Sequence, residues 1–310
     1  MFLGMKNQLF SQDLWNIGIV FEPIGAFLIT KPEVRWFSRP QRNRFLADPF
    51  ALMRGKSIHI LCEEFDCSTS KGRIVSIEFT QDGFSPPKVA IELPYHISYP
   101  YLVESEGEIY CVPETRNAHE ISLYKADEFP HRWKKVATLV SDFDGVDGTI
   151  FRYDGLWWLT STDPESRLFV WYSRDLSGPW IPHQLNPVKI DASSSRPGGT
   201  PFVSDGVLYR PAQDCSKNYG HRIVLNRIIS LTPERFEEER TTVIEPYLEG
   251  PYRDGLHTLS AVGSYTLIDG KRTVYAWSAL RRTLKGGVAR IRHRSAPLDD
   301  YVRVGEQSSR

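Results

Sequence analysis

The chain alternates. Apolar and polar positions change places every residue over short runs, as in "SIHILCEE" (57–64), "EIYCVPET" (108–115), "LWWLTSTD" (156–163), "VLYRPAQD" (207–214) and "TVYAWSAL" (273–280). A period of two marks half-buried β-strands, because successive side chains point to opposite faces. Each run follows a turn containing glycine, at Gly55, Gly107, Gly155, Gly206 and Gly270, and the last three are Asp-Gly pairs. Asp-Gly supplies the positive φ that a tight hairpin turn needs. The pattern therefore predicts five β-hairpins. Helical periodicity is confined to two short stretches, "TPERFEEER" at 232–240 and "SQDLW" at 11–15, and these are the expected helices.

The hairpins recur at intervals of 52, 48, 51 and 64 residues. A repeat near fifty residues is the signature of four-stranded blades arranged around an axis. A finer spacing supports it. Asp48 to Glu63, Tyr99 to Glu114, Asp147 to Thr162 and Gly199 to Asp214 are each 15 residues apart. The fifth unit, from His257 to Trp277 or Ser278, is stretched, which fits a longer hairpin in "SYTLIDGKRT". Further strands follow, such as "GRIVSIEF", "ISLYKA", "KKVATLV", "LFVWYS", "RIVLNRIISL" and "VARIRH". The expectation is an all-β, five-bladed β-propeller with four-stranded antiparallel blades, a single domain over 1–310. The N-terminal stretch 1–40, which contains "WNIGIVF", is expected to add an outer strand to the last blade and remove a free edge.

Composition narrows the function. Lysine plus arginine and aspartate plus glutamate both number 38, so the formal net charge is zero, and nucleic acid is excluded as a natural partner because no basic excess exists. Aromatic content of 12 % with 22 glycines and 21 prolines suits a turn-rich β protein. No apolar run reaches membrane-spanning length, and the start lacks the pattern of a secretion signal. The chain is thus expected to be soluble and cytoplasmic. Cys62, Cys67, Cys111 and Cys215 lack zinc-site spacing and are expected to be reduced thiols.

The innermost strands of a propeller run in one direction, so their starts converge at one mouth of the central channel, together with the ends of the strands that follow them. That places Asp48, Glu63 or Glu64, Glu114, Asp147, Arg196, Gln213, Asp214 and His257 in one funnel, with Glu64 a substrate-binding candidate beside Tyr99, Arg210 and Tyr219. Six of them have a structural alternative. Asp48 and Asp147 could be turn aspartates, Glu114 a solvated loop acid, Arg210 and Asp214 a blade-stabilising ion pair, and His257 an inter-blade hydrogen-bonding residue. Gly198, Gly199 and Gly220 would let a ligand approach the backbone. Clustered carboxylates repel, which raises proton affinity, and sugar chemistry uses one carboxylic acid to protonate a leaving oxygen and one carboxylate as base or nucleophile. Tyr99, Trp157, Trp158, Tyr219 and Trp277 offer aromatic faces for a sugar ring, although at "WW" the two side chains point opposite ways and core packing is the commoner fate. No nucleotide-binding glycine loop, metalloprotease motif or serine elbow is present. No cofactor is required by these residues; a divalent cation in the channel is compatible with the acids.

"ADPF" and "VDGTIFRYDGLWWL", with the five-unit spacing, resemble the five-bladed propellers of glycoside hydrolase families 43, 32 and 68. The resemblance implies Asp48 as base or nucleophile and Asp147 as the residue tuning the acid. "WNIGIV", "RFLADPF", "SYPYLVESEGEIYCVPET", "FDGVDGTIF", "SSRPGGTPF", "LYRPAQDCSKNYG" and "GLHTLSAVG" are more closely similar to the N-terminal propeller of the plant glucosamine inositolphosphorylceramide transferase family, over nearly the whole chain. Where the hydrolases open the fourth blade with glutamate, this chain has "SRPGGT", which puts Arg196 there and leaves Glu114 or Asp214 to serve as acid. An arginine in the funnel favours an anionic group, such as the phosphate of a nucleotide-sugar or lipid-phosphate substrate. The expected activity is glycosyl transfer in cell-surface glycan or glycolipid assembly. Asp48, Asp147 and Glu114 would be catalytic, Arg196 and Arg210 would hold the anion, and Gln213, Asp214 and His257 would bind hydroxyls. The alternatives are a family-43-like glycosidase for arabinosides or xylosides, and a non-catalytic sugar-binding propeller.

Overall fold

The computed structural model describes residues 11–38 and 43–275. By backbone proximity the chain falls into Leu14–Arg272 and a second unit formed by Met1–Asp13 with Thr273–Arg310. The five blades below lie within residues 11–275, and "VARIRH", Trp277 and Ser278 lie outside the described residues.

The protein is an all-β, five-bladed propeller. Blade I consists of Arg44–Arg54, Ser57–Asp66, Lys71–Thr80 and Gly83–Phe84, with Lys88–Ile91 also paired to its third strand. Blade II is Ser98–Ser105, Glu108–Glu114, Glu120–Glu128 and Arg132–Ser141. Blade III runs from Val146–Tyr153 through Leu156–Thr162 and Arg167–Ser173 to the short strands Ile181–Pro182 and Lys189–Ile190. Blade IV is Phe202–Ser204, Val207–Asp214, Arg222–Leu231 and Phe236–Ile244. Blade V begins with Leu259–Val262 and Tyr265–Tyr275 and is completed by the N-terminal strands Ser11–Val20 and Arg35–Trp36. Closing the ring with strands from both ends of the chain buries sheet edges that would otherwise be open.

Two expected helices are strands instead. "SQDLW" begins Ser11–Val20. In "TPERFEEER", Thr232 caps a turn through Oγ1, and Phe236–Ile244 is the outer strand of blade IV. The charges there follow a period of two. Glu238 turns inward to Arg210 and Lys189, whereas Glu237 and Glu239 turn outward to Arg235 and Arg227. Inward carboxylate neutralised by buried cations is what lets so polar a segment pair as a strand.

The fifth hairpin also differs from expectation. Its turn is at Gly263 (φ +58), with Val262 opposite Tyr265 and Leu259 opposite Ile268. Gly270 lies within the second strand, where the Trp36 ring packs so close that a Cβ would come within 2.5 Å of it. Moving the turn forward brings Asp269 beside Thr258, at the channel end of blade V.

Side-chain packing between blades forms successive apolar layers. Ile60, Cys62, Val75 and Ile77 of blade I meet Ile17 and Ile19 of the N-terminal strand. Tyr99, Tyr101, Val112, Ile150 and Leu159 join blades II and III, and Trp157 packs in that layer. Trp158 points the other way, into a layer with Val170 and Leu208. Both tryptophans are core residues. The four cysteines are free thiols. Among the described residues no helix is long and apolar enough to cross a membrane.

Candidate functional site

Three innermost strands carry the same irregularity. Pairing in blade I skips from Ala47 to Phe50, in blade II from Ser98 to Tyr101, and in blade III from Val146 to Thr149. Each is a bulge with one extra residue on the inner strand, which frees a residue from the ladder and re-aims its side chain. The first freed residue has positive φ every time: Asp48 (+52), Tyr99 (+46) and Asp147 (+54). A non-glycine residue in the left-handed region costs on the order of 1–3 kcal/mol and is held by its surroundings. Gly199 (φ +136) occupies the corresponding place in blade IV.

Those surroundings are dense. Asp48 is 4 % exposed and accepts a hydrogen bond on Oδ1 from Thr258 Oγ1 at 2.8 Å, while its N–H donates to Asp269 Oδ2 at 3.2 Å. His257 Nε2 stands 3.7 Å from Asp48 Oδ1, and Nδ1 lies 2.5 Å from Asp269 Oδ2. The Trp15 ring stacks on the imidazole, 3.9 Å between centroids and 11° between planes. Burial pushes the Asp48 carboxyl up to about 6, with the His257 charge opposing and the Asp147 and Asp269 carboxylates adding to the rise. For His257 burial opposes the charged form, but Asp269 and Asp48 outweigh it and raise its proton affinity. The imidazolium is thus the counter-charge between two buried carboxylates.

Across the basin, Asp147 is 2 % exposed and held through Oδ2 by Arg196 Nε at 2.5 Å and Gln213 Nε2 at 2.6 Å. The Arg196 guanidinium sits 5.0 Å from the centroid of the Tyr219 ring, and the Tyr219 side is open, 45 % exposed. Glu114 ends its strand opposite Ser98 and hydrogen-bonds Asp147. Burial, then the Asp147 carboxylate, push Glu114 up to about 8 against the pull of Arg196. Glu63, paired with Ala47, is 6 % exposed and raised well above the usual carboxylate range by burial and by Asp48, Glu114 and Asp147.

The structure brings Asp48, Asp147, Glu114, Arg196, Gln213, Tyr219 and His257 together, but it commits the remaining candidates elsewhere. Glu64 turns to the opposite face of its strand from Glu63, where Arg44 (2.9 Å) and Arg73 (2.8 Å) hold its carboxylate. Arg210 is 1 % exposed and fully engaged by Glu238 and the Ser194 and Ser195 carbonyls, so it does not hold a substrate anion. Asp214 accepts from Ser216 and Arg222, which lower its proton affinity against the effect of burial, and it is neither acid nor hydroxyl ligand of the basin. Tyr99 is completely buried; its hydroxyl meets Thr149 at 3.0 Å and accepts from Gly199 N–H at 2.9 Å. It joins blades instead of facing a sugar. The glycines serve protein contacts as well. A Cβ on Gly199 would lie 1.8 Å from the Leu259 carbonyl oxygen, and one on Gly220 would lie 2.3 Å from the Trp15 ring.

Two participants escape the sequence pattern, Asp269 and Trp15, while the choice between Glu63 and Glu64, both expected at the funnel, falls to Glu63. Glu63 carried the same register as Glu64, and only the face distinguishes them. Asp269 is hidden by the displaced turn. Trp15 reaches His257 from the third strand of its blade, across 242 positions of sequence. Asp48, His257 and Asp269 offer ligand atoms all within 4.8 Å of one another, a spacing compatible with a divalent cation. The Asp269 carboxylate, however, already accepts from three backbone N–H groups and the imidazole, which leaves it little capacity for a metal.

The family model described as glucosamine inositolphosphorylceramide transferase 1, N-terminal, matches residues 12–248. The chain belongs to this family. It is 33 % identical over 267 residues to glucosamine inositolphosphorylceramide transferase 1 of Arabidopsis thaliana, covering 76 % of this chain and 34 % of that protein. It is 36 % identical over 207 residues to the protein of the same name from Oryza sativa subsp. japonica, covering 63 % of this chain and 28 % of that one. The chain therefore spans about a third of the length of these relatives. Among solved structures, a glycosyl hydrolase from Bacteroides ovatus superposes with TM-score 0.56 at 13 % identity, covering 78 % of this chain and 91 % of that one. The family 117 glycoside hydrolase Zg3597 of Zobellia galactanivorans superposes with TM-score 0.53 at 15 % identity, covering 86 % and 91 %. At such identities the likeness is one of fold. In this chain the propeller places two carboxyl groups in unlike surroundings, Asp48 and Glu114, in one basin beside Arg196.

Proposed function

We propose that the basin acts at a glycosidic bond, transferring a glycosyl group during glycolipid assembly. The observation that carries this reading is the meeting of Asp48, Asp147 and Glu114 in one basin beside Arg196, with burial and neighbouring carboxylates raising the proton affinity of Asp48 (to about 6) less than that of Glu114 (to about 8). Near neutral pH Asp48 is largely ionised and Glu114 largely protonated, the division of labour that glycosidic chemistry requires. Glu114 gives its proton to the departing oxygen. Asp48 takes the proton of the acceptor hydroxyl, or stabilises the positive charge developing at the anomeric carbon. Asp147, anchored by Arg196 and Gln213, lies next to Glu114 and raises the proton affinity of that acid. Arg196 uses only Nε on Asp147, so its Nη groups face an anionic leaving group or lipid phosphate, and the exposed Tyr219 ring provides a flat surface for a sugar.

The relatives' names supply glucosamine and inositolphosphorylceramide as candidates for the sugar and the acceptor, and the arginine of the basin suits a nucleotide-linked form of the sugar as donor. Incubating this chain with both, followed by mass spectrometry, is expected to yield glycosylated acceptor, and Glu114→Gln and Asp48→Asn are expected to abolish it. The same two acids would also support hydrolysis with water as acceptor. Free sugar released from aryl glycosides, without glycosylated acceptor, would establish that reading in place of transfer. Sugar binding that survives both substitutions, with no turnover of any donor, would reduce the basin to a binding site.

A further inference from the structure

Glu63 is the one acid of the basin whose charge and hydrogen bonds nothing in the fold accounts for. Its side chain is 8 % exposed, and Oε1 is buried with no hydrogen-bond partner. The nearest basic group is His96, with Nδ1 at 3.7 Å from Oε1. That nitrogen already accepts the Gly72 N–H at 2.8 Å, so it carries no proton there and cannot serve as a cation or donor toward Glu63. Burial further lowers the proton affinity of His96, in keeping with a neutral ring. The two arginines nearest in sequence pairing, Arg44 and Arg73, are held on the other face of the strand by Glu64. Gly72 leaves the room that Glu63 occupies, since a Cβ at 72 would lie 2.3 Å from Oε1.

A buried polar atom without a partner is a liability for stability, and folded proteins keep few of them. Where one borders a basin of other functional groups, a ligand atom is the natural partner. The basin is also polarised. Arg196 and Tyr219 make its cationic, aromatic side, built on blades III and IV. Glu63, on blade I and backed by His96 and Gly72, makes a side with a carboxyl group and no cation.

We propose that Glu63 forms a subsite for a hydroxyl of the substrate's sugar or polyol ring, opposite the Arg196 side that takes the anionic group. The substrate would therefore be bipolar, with a phosphate at one end and a ring hydroxyl hydrogen-bonded to Glu63 at the other. This inference rests on the reading of the basin as a site for glycosyl chemistry, and it adds a specificity-determining residue that its acid and base do not supply.

The test combines binding with stability. Glucose 1-phosphate carries both ends, inorganic phosphate only the anionic one, and glucose only the hydroxyls; calorimetric titration compares the three on the wild type, Glu63→Gln and Glu63→Met. The wild type is expected to bind glucose 1-phosphate at least tenfold more tightly than phosphate. Glu63→Met should lose that advantage and leave phosphate binding unchanged, and Glu63→Gln, which retains hydrogen-bonding groups, should keep part of it. In urea denaturation Glu63→Met should unfold at a higher midpoint, because an orphaned acid is replaced by an apolar side chain of similar size. A purely structural Glu63 predicts a lower midpoint. If the wild type prefers glucose 1-phosphate and Glu63→Met keeps that preference, the subsite is overturned while the basin's reading stands. If the wild type binds none of the three probes, the sugar-site reading falls, and the subsite with it. A lower midpoint for Glu63→Met also overturns the inference.

Discussion

Replacing Arg196 by methionine removes the positive charge from the acid pair of the basin while keeping most of the side-chain volume. Arg196 Nε is 2.5 Å from Asp147, and Asp147 in turn hydrogen-bonds Glu114. Two unit charges about 4 Å apart interact by roughly 4 kcal/mol at an effective dielectric constant near 20. That corresponds to about 3 pH units at about 1.4 kcal/mol each. A quarter of the Arg196 side chain is open to water, which screens the interaction, so the expected displacement of Glu114 is about 1–2 units upward from about 8. The assay is a pH titration followed by NMR of 13C-labelled carboxyl groups. Glu238 is the internal reference, since its own shift comes from burial, Arg210 and Lys189. The sign carries over to stability. Glu114 binds its proton more tightly folded than unfolded, where its value is 4.5, so stability falls as pH rises from 4.5 through about 8. In the variant that fall should continue to higher pH. A Glu114 midpoint that stays in place or moves down on losing Arg196 would refute the electrostatic account of the acid. So would a wild-type midpoint near 4.5.

Gly199→Ala should destabilise by roughly 3 kcal/mol or more in urea denaturation, because a Cβ at φ +136 would sit 1.8 Å from the Leu259 carbonyl oxygen; a cost below about 1 kcal/mol would mean that blades IV and V do not meet there. Arg210→Met should cost about 3 kcal/mol by leaving Glu238 buried with only Lys189 as partner, and Arg210→Met combined with Glu238→Leu should recover most of it; an unchanged midpoint in the single variant would refute the buried pair. Asp269→Asn should lower the His257 proton affinity, read from imidazole NMR shifts, and an unmoved imidazole would refute the pairing. A histidine with raised folded affinity contributes stability that is complete below 6.5 and lost as pH rises through its folded value, so the variant should lose it at lower pH.

The blades were legible because their signals are local. Alternation over seven or eight residues and the Asp-Gly pairs at 154–155 and 205–206, both residues of each with positive φ, specify hairpins without reference to the rest of the chain. The same local logic misread the fifth hairpin, where Asp269-Gly270 resembles a turn and is strand, and Gly263 turns the chain instead. It also misread 232–240, since a run of glutamates has helical propensity in isolation and becomes an outer strand only when Arg210 and Lys189 neutralise Glu238.

For the basin, sequence spacing identified the slots, because a repeat of fifty residues returns each inner strand to the same mouth. Asp48 and Asp147 follow from that repeat alone. Which side chains remain available is a matter of partners, and the partners come from distant positions. Arg210 finds Glu238 28 residues away, Gln213 reaches Asp147 across 66, and Thr258 reaches Asp48 across 210. Only the assembled propeller turns Glu63 toward the basin and Glu64 away from it, or stacks Trp15 on His257. Alternation and turn chemistry act between neighbours along the chain, so they are written in the sequence. Burial and charge compensation act between neighbours in space, and those exist only once the five blades have closed.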